Sequence, residues 1–212
     1  MNRETLISRK NIDYLKATKF MEKRVEDIIN KKKIDLIWLL SHPKIYTAGI
    51  SSNNKDFIKK PTIPVYKTNR GGQITYHGPG QRIVYLMINL NKKKDLRNFI
   101  NILEKISIET LKEFNVVSES RNDRIGIWVT KFNNKYLKKE KKIGAIGIRI
   151  KRWVSYHGIS INVNPDLYYF KQINACGIKN FEVTSLKELG IDIKMEEFDK
   201  VLLKKIKKYL IF

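Results

Sequence analysis

Apolar residues return at intervals of three and four in three separated places, and that spacing settles most of what this chain can fold into. Tyr14, Ala17, Met21, Val25 and Ile28 form the first series and predict an amphipathic helix over 14–30. Leu96, Ile100, Leu103, Ile106, Leu111 and Phe114 form the second, and Phe198, Val201, Leu202, Ile206 and Tyr209 the third. Between them the apolar residues come in short runs, as strands require, at 34–40, 64–68, 82–90, 125–129, 143–150 and 154–163. The first run stops at Ser41-His42-Pro43, where proline ends a buried strand. Helices and strands do not alternate regularly, so the expected class is α+β: a mixed β-sheet with helices packed on its faces. Segment 133–142 is polar and lysine-rich and reads as a loop at a hairpin tip. No internal repeat or Pro/Gly/Ser-rich linker interrupts the 212 residues, so a single domain over 1–212 is expected.

Composition narrows the function classes. No stretch approaches the roughly 18 uninterrupted apolar residues of a membrane span. The first sixteen residues lack the basic-then-apolar order of a secretory signal, and a lone cysteine suits a reducing compartment, so a cytoplasmic protein is expected. Lysine and arginine number 43 against 21 acids, a net charge of +22. The lysines lie in short clusters at 31–33, 92–94, 138–142 and 204–208. Two readings stay open: a biased composition that leaves a solvated surface, or an acidic partner that such a surface attracts. No helix concentrates arginine and no aromatic RNA-binding motif is present, which argues against a basic protein that binds nucleic acid.

Three segments carry candidate chemistry. Arg70-Gly71-Gly72-Gln73-Ile74-Thr75-Tyr76-His77-Gly78-Pro79-Gly80-Gln81 holds four glycines and a proline in twelve residues. A regular strand disfavours that composition, whereas a tight path that brings backbone N–H groups to a ligand requires it. A plain bulged hairpin would explain the glycines, but not the charge, hydroxyl, phenol and imidazole set among them. Neither dinucleotide nor P-loop spacing is present. In Lys142-Ile143-Gly144-Ala145-Ile146-Gly147 small residues alternate through an apolar strand and leave room for an elongated substrate. Lys142 stands where the lysine-rich loop enters that strand. Cys176 is a small packing residue or a nucleophile, and Gly177 beside it would let a backbone N–H face a reacting centre. His42, His77 and His157 show no metal-ligand spacing, so no metal is expected. His157 as a base for Cys176 stays open.

Together these segments resemble the octanoyl-[acyl carrier protein]:protein N-octanoyltransferases. The segment Arg70 to Gln81 follows that family's signature without a break, and Lys142 to Gly147 is similar to its lysine motif. His157-Gly158, Asn162-Val163, Asp166-Leu167 and Phe170 lead into Cys176-Gly177 in the same order, and Ser41-His42-Pro43 and Thr47-Ala48-Gly49 also match. The resemblance runs from about Leu40 to Gly177. One departure is Ala175, where the family usually has proline before the cysteine; a tuning effect is expected.

The resemblance implies the catalytic fold of the biotin and lipoate protein ligases, with Cys176 as acyl-thioester nucleophile and Lys142 as its partner. By position, Arg70, Gly71, Gly72, Gln73, Ile74, Thr75, Tyr76, His77, Ala145, Ile146, Gly147, Gly158, Ile159 and Ser160 would form the acyl-substrate site. It further implies octanoyl-acyl carrier protein as donor and, as acceptors, lipoyl domains of 2-oxoacid dehydrogenase complexes and the glycine cleavage H protein. No cofactor, no nucleic acid, no membrane and a monomer complete the expectation. A free thiol is mostly protonated at neutral pH, and an ammonium beside it favours the thiolate. The competing reading on the same fold is an ATP-dependent lipoate or biotin ligase, which would not depend on Cys176.

Overall fold

The computed structural model describes residues 3–174 and 182–211. The first helix, α1 (Tyr14–Ile29), starts where Asp13 accepts a hydrogen bond from the Lys16 N–H at 2.9 Å. Asp95 caps α2 (Leu96–Lys112) through Asn98 in the same way, and each such cap contributes about 1 kcal/mol. The third helix, α3 (Met195–Tyr209), begins without a side-chain cap. All three series of apolar spacing therefore became helices.

The strands are β1 (Glu4–Asn11), β2 (Leu36–Ser41), β3 (Ile45–Ala48), β4 (Val65–Lys67), β5 (Ile74–His77) and β6 (Gln81–Met87). After α2 come β7 (Val116–Ser120), β8 (Ile127–Phe132), β9 (Lys135–Lys151), β10 (Val154–Asn162) and β11 (Glu182–Val183). The main sheet runs β1-β2-β6-β10-β9-β8-β7, with β11 paired to β9. β1–β2 and β11–β9 are parallel and the other pairs antiparallel, so the sheet is mixed. A smaller sheet, β4-β3-β5, stands beside it.

Every residue of β2, β6 and β10 is buried, because helices cover both faces. Strand alternation divides the core. Ile83, Tyr85 and Met87 of β6 face α1 with Trp38 and Leu40, while Val84 and Leu86 join Phe99, Leu103, Phe198 and Leu202 of α2 and α3. Arg82 shares the second face and forms a bidentate ion pair with Asp199 of α3, at 2.8 and 2.9 Å.

The lysine-rich segment 133–142 is not a loop. Asn133 and Asn134 alone make the turn, both with positive φ (47° and 60°), as a two-residue hairpin between right-twisted strands demands. Lys135 onward already belongs to β9, which pairs with β8 from Phe132↔Lys135. Lys142 thus lies inside a strand and not at its entrance. Arg152 and Trp153, also at positive φ, make the next tight turn into β10. Among the described residues no helix is long and apolar enough to cross a membrane.

Candidate active site

A cavity of about 480 Å³ is bounded by β6, β9 and β10, the glycine-rich segment, and Leu96, Ile100 and Glu104 of α2. Its walls take Arg70 to Thr75 and His77 from the glycine-rich segment, Lys142 and 144–148 from β9, and His157 to Ser160 and Asn162 from β10. Every site residue expected from the sequence lies here, apart from Tyr76 and Cys176. The Tyr76 side chain is fully buried outside the cavity lining, stacked on Tyr169 and edge-on to Phe170. Cys176 falls outside the described residues, as do Ala175 and Gly177.

The glycine-rich path is clamped by its own arginine. Arg70 donates through Nη2 to the Thr47 carbonyl at 2.6 Å and through Nε and Nη2 to the Thr47 hydroxyl, pinning the segment to β3. The N–H groups of Ile50 and Ser51 donate to the carbonyls of Arg70 and Gly72. Gly49 permits this approach: a Cβ there would stand 2.2 Å from the Gly72 oxygen. Arg70 therefore braces the wall that it lines.

Lys142 is buried, and its ammonium donates to the Ile125 carbonyl at 3.0 Å. It also lies over the Trp128 ring, 5.6 Å from the centroid. A bulge between Ile127↔Gly144 and Trp128↔Lys142 interrupts the β8–β9 ladder beside it. Gly126, at φ +151°, completes the seat, because a Cβ there would come within 2.5 Å of Lys142 Cε. The backbone returns to the same place after residues 175–181: Val183 pairs with Lys142, and Thr184 N–H donates to the Lys142 carbonyl at 2.8 Å.

The three histidines are buried and uncharged at neutral pH. His42 is pushed down to about 4 by burial; its Nδ1 meets the Ile12 carbonyl and its Nε2 the Tyr85 hydroxyl. His77 and His157 are each pushed down to about 3, chiefly by burial and further by Arg70. So weak a base does not suit His157 to deprotonating a thiol. It sits at φ +59° within β10, a conformation that strains a residue with a Cβ, and its N–H donates to the Met21 sulfur instead of a neighbouring strand.

Some of these residues gave no sequence signal as site residues. Tyr14 and Tyr85 line the cavity floor, and Gly126 and Trp128 seat the lysine. Gln81 closed the glycine-rich segment and Asn162 opened Asn162-Val163, but neither carried an assigned role. Both line the cavity and share a hydrogen bond.

The profile of the lipoyl protein ligase A/B catalytic domain matches residues 13–207. The chain belongs to that family. Within it, a protein named octanoyltransferase from Wolbachia pipientis wMel is 49% identical over 207 residues, 97% of this chain and 98% of that protein. Another octanoyltransferase, from Ehrlichia chaffeensis, is 48% identical over 196 residues, 92% and 89% of the two chains. The chain is thus an acyltransferase of the octanoyltransferase group. Among solved structures, lipoate-protein ligase A bound with ATP superposes with a TM-score of 0.72 at 14% identity, over 99% of this chain and 86% of that one. The Aquifex aeolicus biotin protein ligase gives 0.58 at 17%, over 99% and 70%. The ligase-like fold expected from the sequence is therefore present.

Proposed function

We propose that this acyltransferase takes an octanoyl group from the thioester of octanoyl-acyl carrier protein onto Cys176. It then passes the group to the lysine amine of a lipoyl domain. The observation that carries the reading is the burial of Lys142 at the wall of an apolar cavity, with the chain returning beside it directly after the segment that holds Cys176.

In the first half-reaction the Cys176 thiolate, favoured by the Lys142 ammonium, attacks the thioester carbonyl. The new C–S bond forms as the C–S bond to the carrier breaks, and the departing carrier thiolate takes the Lys142 proton and leaves as a thiol. Backbone N–H groups near Gly177 would hold the oxyanion, where one donor is worth about 3 kcal/mol. In the second half-reaction the Lys142 amine, left neutral by the first, accepts a proton from the attacking amine. The C–N bond forms, the C–S bond breaks, and the thiolate is restored. Ile74, Ile83, Ile146, Ile148 and Ile159 supply apolar wall for the acyl chain. At about 0.8 kcal/mol per buried methylene, an octanoyl tail gains roughly 5 kcal/mol before losses.

The test is intact-mass spectrometry of the protein after incubation with octanoyl-acyl carrier protein, without ATP or acceptor. One octanoyl group is expected, removed by hydroxylamine, absent in Cys176→Ser, and moved onto a lipoyl domain when that is added. No adduct, with ATP alone driving free octanoate onto the domain, would replace this reading by the ligase. The +22 charge carries a second expectation, since acyl carrier protein and lipoyl domains tend to be acidic. The apparent second-order rate constant for acylation should fall steeply between low and physiological salt; a flat response would remove electrostatic steering.

A further inference from the structure

A run of buried hydrogen bonds determines which nitrogen of His77 carries its proton. The Thr184 carbonyl can only accept, so the Asn162 amide nitrogen faces it, at 3.0 Å. That turns the Asn162 amide oxygen toward Gln81, whose Nε2 donates to it at 2.9 Å. The Gln81 oxygen is thereby left facing His77 Nδ1 at 2.6 Å, and since that oxygen only accepts, Nδ1 bears the hydrogen. In a neutral imidazole the other nitrogen is then a bare acceptor. His77, Gln81 and Asn162 are 9%, 1% and 4% exposed, so water does not compete for these bonds.

We propose that Gln81 and Asn162 are positioning residues that hold His77 in the Nδ1–H form, so that its Nε2 lone pair accepts a hydrogen bond from an N–H of the bound substrate. Which N–H this is rests on the transferase reading: an amide on the arm that presents the thioester, or the attacking amine. His77 lines the cavity, as do Gln81 and Asn162. The groups acting on the ring are Gln81, His42, Arg70 and His157, of which only Arg70 is charged, and burial with that cation keeps the imidazole neutral. A nitrogen of such low basicity orients an N–H and does not remove its proton. The same run of bonds reaches Lys142, because Thr184 N–H donates to the Lys142 carbonyl. Gln81 and Asn162 thus tie the acceptor nitrogen and the lysine to one framework.

The first experiment needs no substrate. Imidazole ¹⁵N–¹H correlation spectra of the histidine-labelled wild-type protein, assigned through its three histidines, should show His77 protonated at Nδ1 and bare at Nε2. A wild-type His77 protonated at Nε2, or at both nitrogens, overturns the proposal. The second uses Gln81→Glu, which sets a carboxylate beside Nδ1, charges the ring and makes Nε2 a donor. One half-reaction should slow at least tenfold near pH 6.5 and recover as the pH is raised. A loss of the same size at every pH would mean a merely structural role and overturn the proposal. A slowed acylation assigns the N–H to the thioester's arm, and a slowed transfer assigns it to the amine. Wild-type protein that shows the Nδ1–H form but never acylates would support the positioning and remove only the transferase reading.

Discussion

Stability should fall by about 5 kcal/mol between pH 6.5 and pH 5, with a slope that approaches three protons. The cause is the set of buried imidazoles. His42, His77 and His157 sit at about 4, 3 and 3 in the folded protein, against an ordinary value of 6.5 in the unfolded chain. Folded values below unfolded ones mean that the unfolded state binds more protons throughout this window. Their contribution is complete well above pH 6.5 and is lost as the pH falls toward 4. A pH of 5 lies about 1.5 units below the unfolded value of each group, which costs about 2 kcal/mol per group, roughly 0.4 kcal/mol of it already lost at pH 6.5. Asp35 and Asp199, raised by burial, oppose the trend as the pH falls from their folded values toward the ordinary carboxylate value. Urea unfolding at a series of pH values measures the slope. His157→Gln, able to keep a bond to Asn69, should reduce it by one proton; a flat profile across pH 6.5–5 would show that these rings are already charged or exposed.

Gly126→Ala should lower acyl transfer by about a hundredfold while leaving most of the stability in place. A methyl group at 126 would stand 2.5 Å from Lys142 Cε, 3.0 Å from the Gly144 carbonyl oxygen and 3.1 Å from Lys142 Nζ. The lysine end is flexible and can retreat, so the fold survives, but the ammonium must leave the Ile125 carbonyl and the Trp128 face. Misplacing a catalytic group by about 1 Å can cost on the order of a hundredfold. The strained φ of +151° adds about 1–3 kcal/mol of instability, which thermal melting would register separately. If Gly126→Ala transfers acyl groups as fast as wild type, the seat of Lys142 has no catalytic importance. Lys142→Met supplies the rate expected when the lysine's proposed contribution is lost altogether.

The elements legible in the sequence were those whose burial imposes a pattern. Each helix has one covered face, so Ala17, Met21 and Val25 betray α1 by spacing alone, and β2, β6 and β10 read as apolar runs because both faces are covered. β1 was silent, since nearly all of its residues are exposed and only parallel pairing with β2 makes it a strand. β5 was hidden among glycines, and the first half of β9 among lysines that reach solvent from both sides of a hairpin arm. The glycine-rich wall and Lys142 stood out through composition and motif. Gln81 and Asn162 had no such mark as a pair, because their role exists only through partners far along the chain: 81 residues separate them. Gly126 likewise has meaning only against a lysine on the adjacent strand.

The ion pair between Arg82 and Asp199 has a consequence for how faithfully the sheet assembles. Gln81 and Arg82 are neighbours that point to opposite faces of β6, one into the cavity and one onto α3. A slip of β6 by one residue would exchange the faces they point to, driving a guanidinium into the apolar cavity and leaving a buried carboxylate without its cation. Either uncompensated charge costs about 3–5 kcal/mol, where an apolar pair at the same place would tolerate the error almost unnoticed. The pair therefore works as a key that only one alignment turns. A misthreaded chain exposes itself through instability before it can persist as a folded but inactive protein.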